Sequence, residues 1–410
     1  MTTTAHADRL LSIDALRGLT VAAMIVVNTP GSWSFLYPPL RHAAWHGLTP
    51  TDLVFPFFLF IVGISVALAF GKQLAAGAAQ NDLRKKVLVR SAKIFLVGAL
   101  LSLWPDFNLG EFRWAGVLQR IALVFAACSF LFLSLRWRGL LAVTVLLLTS
   151  YWALLTGVPV PLDAVNEQAL ATGRVERAYG EEVPVQVQAK QSTAHATGAS
   201  PPPVRALLPN TEPGTNLAAW VDRRLLPGRR YETTWDPEGL LSTLPALATA
   251  LLGTLTGLWL RATPTPTRRL RGLAIAGAGL LASGLVWGSV FPLNKNLWTS
   301  SFVLVTAGWA MLALLVCSLL VDKGGWTRLA LPARVFGSNA ILAYSLASAL
   351  AAFVHHPWGT GPSTAGAVMA VLQGAGASPE AASLGFALLF TTLIFLPLLV
   401  LHRRGIFLRL

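Results

Sequence analysis

An all-α, polytopic helical bundle set in a bilayer is the fold class this sequence predicts, and three observations predict it. Hydrophobic residue types make up 54% of the 410 positions and charged types only 12%, against roughly 25% charged in ordinary soluble domains. The apolar residues fall in runs of about 20, the length that crosses about 30 Å of hydrocarbon. The basic residues collect between alternate runs, as they do where loops stay on one side of a membrane.

About ten runs are long enough to span, at 11–29, 52–71, 87–104, 116–135, 139–157, 239–260, 270–290, 297–321, 335–354 and 381–401. The first is the least apolar, because it contains Asp14 and Arg17. No small-residue cleavage site follows it, so it reads as a retained span and not as a cleaved leader. Only Arg136-Trp137-Arg138 separates the fourth from the fifth, which makes that pair a tight helical hairpin. Small-residue spacing at Gly253 and Gly257 permits close helix contact, either inside the bundle or in a homodimer.

Charge sets the orientation. Lys72, Arg84, Lys85, Lys86, Arg136, Arg138, Arg261, Arg268, Arg269, Arg271, Lys323, Arg328 and Arg334 fall in one set of alternate loops. Arg9, Arg403, Arg404 and Arg409 lie on the same side, whereas the opposite short loops hold only Arg41, Arg113 and Lys295. Both termini are therefore expected in the cytoplasm. The net charge of +14 would suggest nucleic acid in a soluble protein. Here topology and anionic lipid explain it, and no nucleic-acid partner is expected. The chain reads as one transmembrane domain over 1–410, with 158–238 inserted between spans five and six as a long extracytoplasmic loop. Within it, Gln186 to Pro203 is low-complexity and Asn216 to Leu226 reads as a short amphipathic helix. Cys128 and Cys317 each lie inside an apolar run and read as small packing residues.

The polar residues with chemical potential concentrate at the outer ends of spans. Span one ends in Val27-Asn28-Thr29-Pro30, and the loop after it carries His42 and His46. An imidazole titrates near pH 6.5, so either histidine can take a proton at neutral pH; either can also be a plain interfacial residue. Thr49-Pro50-Thr51-Asp52 has the form of a capping box, so Asp52 reads as a helix-start residue or as a partner for the chemistry. Pro56, one turn further on, is expected to kink span two. Asp14 and Arg17, three apart, share a helix face and form either a buried ion pair or a ligand contact. Gln119 and Arg120 open span four, where Arg120 can receive a phosphate through its planar fork or snorkel to the interface. Asn294-Lys295-Asn296 opens span eight, with Lys295 a phosphate partner or an interfacial anchor. His355-His356 lacks acidic or cysteine partners at ligand spacing, so no metal site is expected. Asp236-Pro237-Glu238-Gly239 reads as an N-cap with Pro at the first helical position.

Together these motifs resemble a known family. Ser12-Ile13-Asp14-Ala15-Leu16-Arg17-Gly18 is similar to the opening of transmembrane acyltransferases. His42-Ala43-Ala44-Trp45-His46-Gly47-Leu48-Thr49 with Asp52-Leu53-Val54-Phe55-Pro56 resembles the heparan-alpha-glucosaminide N-acetyltransferase family and its bacterial relatives. So do Gly116-Val117-Leu118-Gln119-Arg120, Asp236 to Ser242, Asn294 to Trp298 and Gly337-Ser338-Asn339-Ala340. The resemblance covers about 9–401, and no counterpart of the lysosomal member's extra lumenal N-terminal domain is expected.

The resemblance implies a transmembrane acyltransferase that moves acetyl from cytoplasmic acetyl-coenzyme A to an amino sugar or glycan on the far side. It places the active-site imidazole at His42, with Asn28 near it and Asp52 in the same motif. The family pattern has Asn where this chain has His46, which leaves the acceptor open. Coenzyme A is then expected on Arg120, Gln119, Lys295, Asn294 and Arg17. The implied setting is a bacterial cytoplasmic membrane with His42 outside. O-acylation of a cell-envelope glycan and transport of an anionic solute are the alternative readings.

Overall fold

A computed structural model describes residues 10–172, 174–176, 182–184, 210–357 and 359–408. Arg9, the stretch from Gln186 to Pro203, Trp358 and Arg409 lie outside these residues. The fold is a helical bundle, and among the described residues eight helices are long and apolar enough to cross a membrane. They are α1 (Leu11–Asn28), α2 (Val54–Ala75, prolonged at its start by a 3₁₀ turn over Pro50–Leu53), α4 (Val117–Ser134), α5 (Trp137–Gly157), α8 (Thr243–Ala262), α9 (Pro266–Gly288), α10 (Ser300–Cys317, continued by a π turn to Lys323) and α14 (Pro379–Arg403). The protein is a polytopic helical membrane protein.

The two remaining expected spans are helical but differ in kind. Span three is α3 (Gln80–Leu103). Its first half is too charged for an apolar segment, with Lys85, Lys86, Arg90 and Lys93 clustered there. The expected span at 335–354 is broken into α11 (Leu331–Ser338) and α12 (Ala340–His355), which meet at 83°. Gly337, Ser338 and Asn339 are poor helix formers. Asn339 uses its side chain elsewhere: Nδ2 donates to the Ile406 carbonyl at 3.1 Å and Oδ1 accepts from Leu408 N at 2.8 Å. The break thus pins the C-terminal tail to the bundle.

Shorter elements fill the remainder. The long loop contains α6 (Ala164–Thr172), a hairpin of β1 (Arg174–Glu176) with β2 (Glu182–Pro184), and α7 (Leu217–Leu225). The amphipathic reading of that last segment holds: Asn216 caps α7 by accepting from Ala219 N at 2.8 Å. A short apolar helix, α13 (Thr364–Gly374), packs on α14 and had no signal of its own in the sequence. Pro56 falls in the first turn of α2, where its missing N–H breaks no helical bond, so the expected kink has no cause there.

Packing relies on glycines at helix crossings. A Cβ on Gly63 would collide with the Ala250 carbonyl, and one on Gly253 with that of Phe60, so α2 and α8 touch backbone to backbone. Gly257 faces Ala67 in the same crossing. The small-residue stripe of α8 is therefore spent inside the protein. Gly18 and Gly337 allow the same approach between α1 and α11. Cys128 lies in this interior, with its Sγ 3.0 Å from Thr254 Oγ1.

Candidate active site

The loop between α1 and α2 folds back onto the start of α2 through one carboxylate. Asp52 Oδ2 accepts from Thr49 N at 2.9 Å and from Ala43 N at 3.1 Å. Asp52 Oδ1 lies 2.7 Å from His42 Nδ1. One oxygen of Asp52 thus holds the helix start and the other holds an imidazole. A carboxylate only accepts, so Nδ1 carries the proton and Nε2 of His42 keeps its lone pair.

Lys295, from the turn before α10, sits on the same ring. Its Nζ is 3.1 Å from Nδ1 and 3.2 Å from Nε2. With Nδ1 protonated, the ammonium can donate only to Nε2. Burial lowers the pKa of His42; Lys295 adds to that, and the bond to Asp52 opposes it. Burial lowers Lys295 as well, against the pull of Asp52 and Glu238.

These residues face a cavity of about 330 Å³ at one end of the bundle. Asn28 and Thr29 at the end of α1, Phe55 of α2, Val117 of α4 and Tyr344 of α12 line it. Segment 229–238 of the long loop closes it with Tyr231, Trp235 and Glu238. Arg113 ties that segment down: Nε donates to Asp236 Oδ2 at 2.8 Å, Nη2 to Asp236 Oδ1 at 2.6 Å, and Nη2 to Glu238 Oε2 at 2.5 Å. Burial pushes Glu238 up, but Arg113, Arg120 and Lys295 outweigh it and hold its carboxyl below the ordinary range. Asp236 is not the N-cap expected of it, because α8 begins only at Thr243. It accepts instead from Tyr231 N and Glu238 N, both at 2.9 Å, and shapes the turn.

A second cavity, of about 910 Å³, opens at the other end of the same helices. Arg17, Lys85, Lys86, Arg90 and Lys93 line it, with Phe58, Val62, Ile121 and Ile341 as apolar wall. The two cavities are stacked. Phe55 and Phe58, Val117 and Ile121, and Tyr344 and Ile341 are pairs three or four residues apart, one member in each cavity. That spacing is one helical turn, about 5 Å. The histidine cavity and the basic one therefore lie about one helical turn apart along these helices.

The site residues expected from sequence divide accordingly. His42, Asn28 and Lys295 line the histidine cavity, and Asp52 holds His42 from behind. Arg17 lines the basic cavity, with Nη2 donating to Ser65 Oγ at 2.8 Å and Nη1 to Asp14 at 3.1 Å. Arg120, Gln119 and Asn294 line neither cavity. Arg120 is 1% exposed; it donates to Ser242 Oγ at 2.5 Å and to the Gly239 carbonyl at 3.1 Å, and lies over the Trp298 ring. It fastens α4 to the start of α8. Gln119 is buried where α3 meets α4, against Gly98 and Gly116. Asn294 binds backbone: Nδ2 donates to the Trp45 carbonyl at 3.0 Å and Oδ1 accepts from Leu297 N at 2.8 Å. His46 sits beside it, 3.3 Å from Asn294 Nδ2 and 3.8 Å from Glu212, and does not line the cavity.

Sequence reasoning passed over several residues that the fold brings together. Glu238, Tyr231 and Trp235 were spread through a stretch read as loop and cap. Of the α3 cations, Lys85 and Lys86 were read as topology markers alone and Arg90 and Lys93 were passed over, although Lys86, Arg90 and Lys93 recur at helical spacing and so share a face.

The sequence is similar to those of known proteins. The family model described as "Heparan-alpha-glucosaminide N-acetyltransferase, catalytic" matches residues 9–172, which include His42, Asp52 and the α3 cations. Heparan-alpha-glucosaminide N-acetyltransferase of Mus musculus is 30% identical over 388 residues, covering 82% of this chain and 53% of the relative. The Homo sapiens protein of the same name is 29% identical over 385 residues, covering 82% and 52%. The chain spans about half the length of these curated relatives. On these matches it belongs to the heparan-alpha-glucosaminide N-acetyltransferase-like family of transmembrane proteins.

Proposed function

We propose that the chain is a transmembrane acetyltransferase, taking acetyl from acetyl-coenzyme A at the basic end and passing it to the amino group of a glucosamine-type sugar at the histidine end. The observation that carries this is the stacking of the two cavities between the same four helices. A donor with several phosphates suits a chamber lined by five cations. Its uncharged arm suits the apolar layer above, and its thioester then lies near His42 and Asn28. The cations on that side support a cytoplasmic assignment for it, which makes the histidine end extracytoplasmic in this reading, in keeping with a bacterial cytoplasmic membrane.

In this reading the Asp52–His42 pair acts as a proton relay. The acceptor displaces Lys295 from Nε2, and Nε2 takes a proton from the attacking amine. The nitrogen bonds to the thioester carbonyl carbon and the carbon–sulfur bond breaks. The sulfur leaves with the proton that His42 held, giving the amide and free coenzyme A. Lys295 and the Asn28 carboxamide line the same cavity and supply positive charge and a donor to the carbonyl oxygen as it becomes negative.

The test is direct: purified protein is incubated with acetyl-labelled acetyl-coenzyme A and glucosamine. Labelled N-acetyl sugar supports the proposal. Label that transfers to a hydroxyl of a neutral sugar instead would favour O-acylation, and movement of an anionic solute without acetyl consumption would favour transport. A burst of protein-bound acetyl in the absence of acceptor would place a covalent acetyl-histidine on the path.

A further inference from the structure

Segment 229–238 forms one wall of the histidine cavity, yet the proton relay makes no use of it. Trp235 lines that cavity while only 4% exposed. Its indole N–H has no acceptor among the described residues. Trp45, packed edge to face against it at 5.2 Å, differs: its Nε1 donates to the Thr211 carbonyl at 2.8 Å. Buried donors in proteins nearly always have partners, and an orphan one in a cavity wall calls for an acceptor from outside the chain.

Two further groups stand beside it. The Glu238 side chain is 9% exposed, and its carboxylate has more acceptor sites than the one Arg113 contact fills. Tyr231 lines the same cavity, with the Arg113 guanidinium 4.8 Å from its ring centre on one side. An N–H donor, a carboxylate and an aromatic ring around one pocket match three features of one ligand class. A sugar hydroxyl accepts from the indole, an amino N–H donates to the carboxylate, and the C–H face of a pyranose lies against a ring.

Resting on the acetyl-transfer reading above, we propose that Trp235, Glu238 and Tyr231 form the acceptor subsite and select a pyranose that carries a free amino group. Trp235 donates to one ring hydroxyl, Glu238 accepts an N–H of the neutral amine and leaves its lone pair free for attack, and Tyr231 supports the ring. The long polar loop thereby sets acceptor specificity, while the helices hold the donor.

The substitution Trp235→Phe keeps the aromatic contact with Trp45 and removes the N–H. Steady-state rates are measured at saturating acetyl-coenzyme A for glucosamine and its mono-deoxy analogues. For the unmodified protein, one deoxy analogue is about tenfold poorer in kcat/KM than glucosamine, the effect of a single hydrogen bond. In Trp235→Phe that difference disappears, and the loss appears in the acceptor KM while the KM for acetyl-coenzyme A stays put. Glu238→Gln raises the acceptor KM in the same way. A flat deoxy series on the unmodified protein overturns the subsite even where Trp235→Phe fails to fold. An equal rise in donor and acceptor KM overturns it too. Failure of the unmodified protein to acetylate any amino sugar would sink the parent reading instead, so the two failures are distinguishable.

Discussion

His42 and Asp52, ten positions apart in the chain, are joined Nδ1 to Oδ1 at 2.7 Å, and the other oxygen of Asp52 closes the turn that starts α2. The residue that begins the helix is thus the residue that fixes the imidazole tautomer. His42→Ala is expected to lower the rate of acetyl transfer by about 10²–10⁴-fold, the usual value of a positioned proton acceptor. Asp52→Asn keeps an oxygen for Thr49 N and Ala43 N but loses the charge. It should fold and retain its acetyl-coenzyme A affinity, with a loss confined to kcat. Steady-state rates in detergent check both.

The pH profile reports the neighbours of His42. Its pKa is lowered by burial and by Lys295, so the neutral, proton-accepting form dominates from below the ordinary value of about 6.5 upward. The acid limb of kcat/KM should therefore fall below that pH. Lys295→Met removes one lowering influence, and the limb moves to higher pH. Asp52→Asn removes a raising influence, and the limb moves lower. Identical profiles for all three proteins would contradict the arrangement.

The basic cavity predicts a donor effect without an acceptor effect. Lys93→Ala should raise the KM for acetyl-coenzyme A by about tenfold, the scale of one charge-assisted contact, and leave the acceptor KM unchanged. Added salt should weaken donor binding in the unmodified protein and weaken it less in the variant. Initial-rate titrations of each substrate in turn separate the two.

Arg120 separates a structural role from a ligand role. Buried under Trp298 and bonded to Gly239 and Ser242, it should act on folding. Arg120→Ala removes the guanidinium that ties Ser242 and Gly239 to α4 and opens a cavity, costing about 3–5 kcal/mol. The expected result is a large drop in melting temperature, with any folded remainder keeping its acetyl-coenzyme A KM. Gly63→Val at the α2–α8 crossing should likewise cost stability, because its side chain meets the Ala250 backbone.

The bundle was legible because apolar length and charge alternation are local properties, readable run by run. Asn339 marks where that reading stops: a span that looks continuous by hydropathy bends by 83° because one side chain holds the tail 67 residues further on. The site divides in the same way. The loop motif carrying His42 and Asp52 is short enough to recognise in sequence. Arg120 and Asn294 stand out as polar residues at span ends, but whether such a residue faces a cavity or a neighbouring backbone is set by helix rotation. Glu238 and Trp235 gain their place only when Arg113, more than a hundred positions earlier, fastens their loop over the cavity.

The claim on which the rest depends is that donor and acceptor approach His42 from opposite ends. Proteoliposomes of defined orientation, with impermeant acetyl-coenzyme A on one side and glucosamine on the other, test it most directly. Labelled N-acetylglucosamine should form only when acetyl-coenzyme A is on the side of Lys85, Lys86 and Lys93, and it should collect on the side of His42. Product that forms only when both substrates share one side would contradict the account.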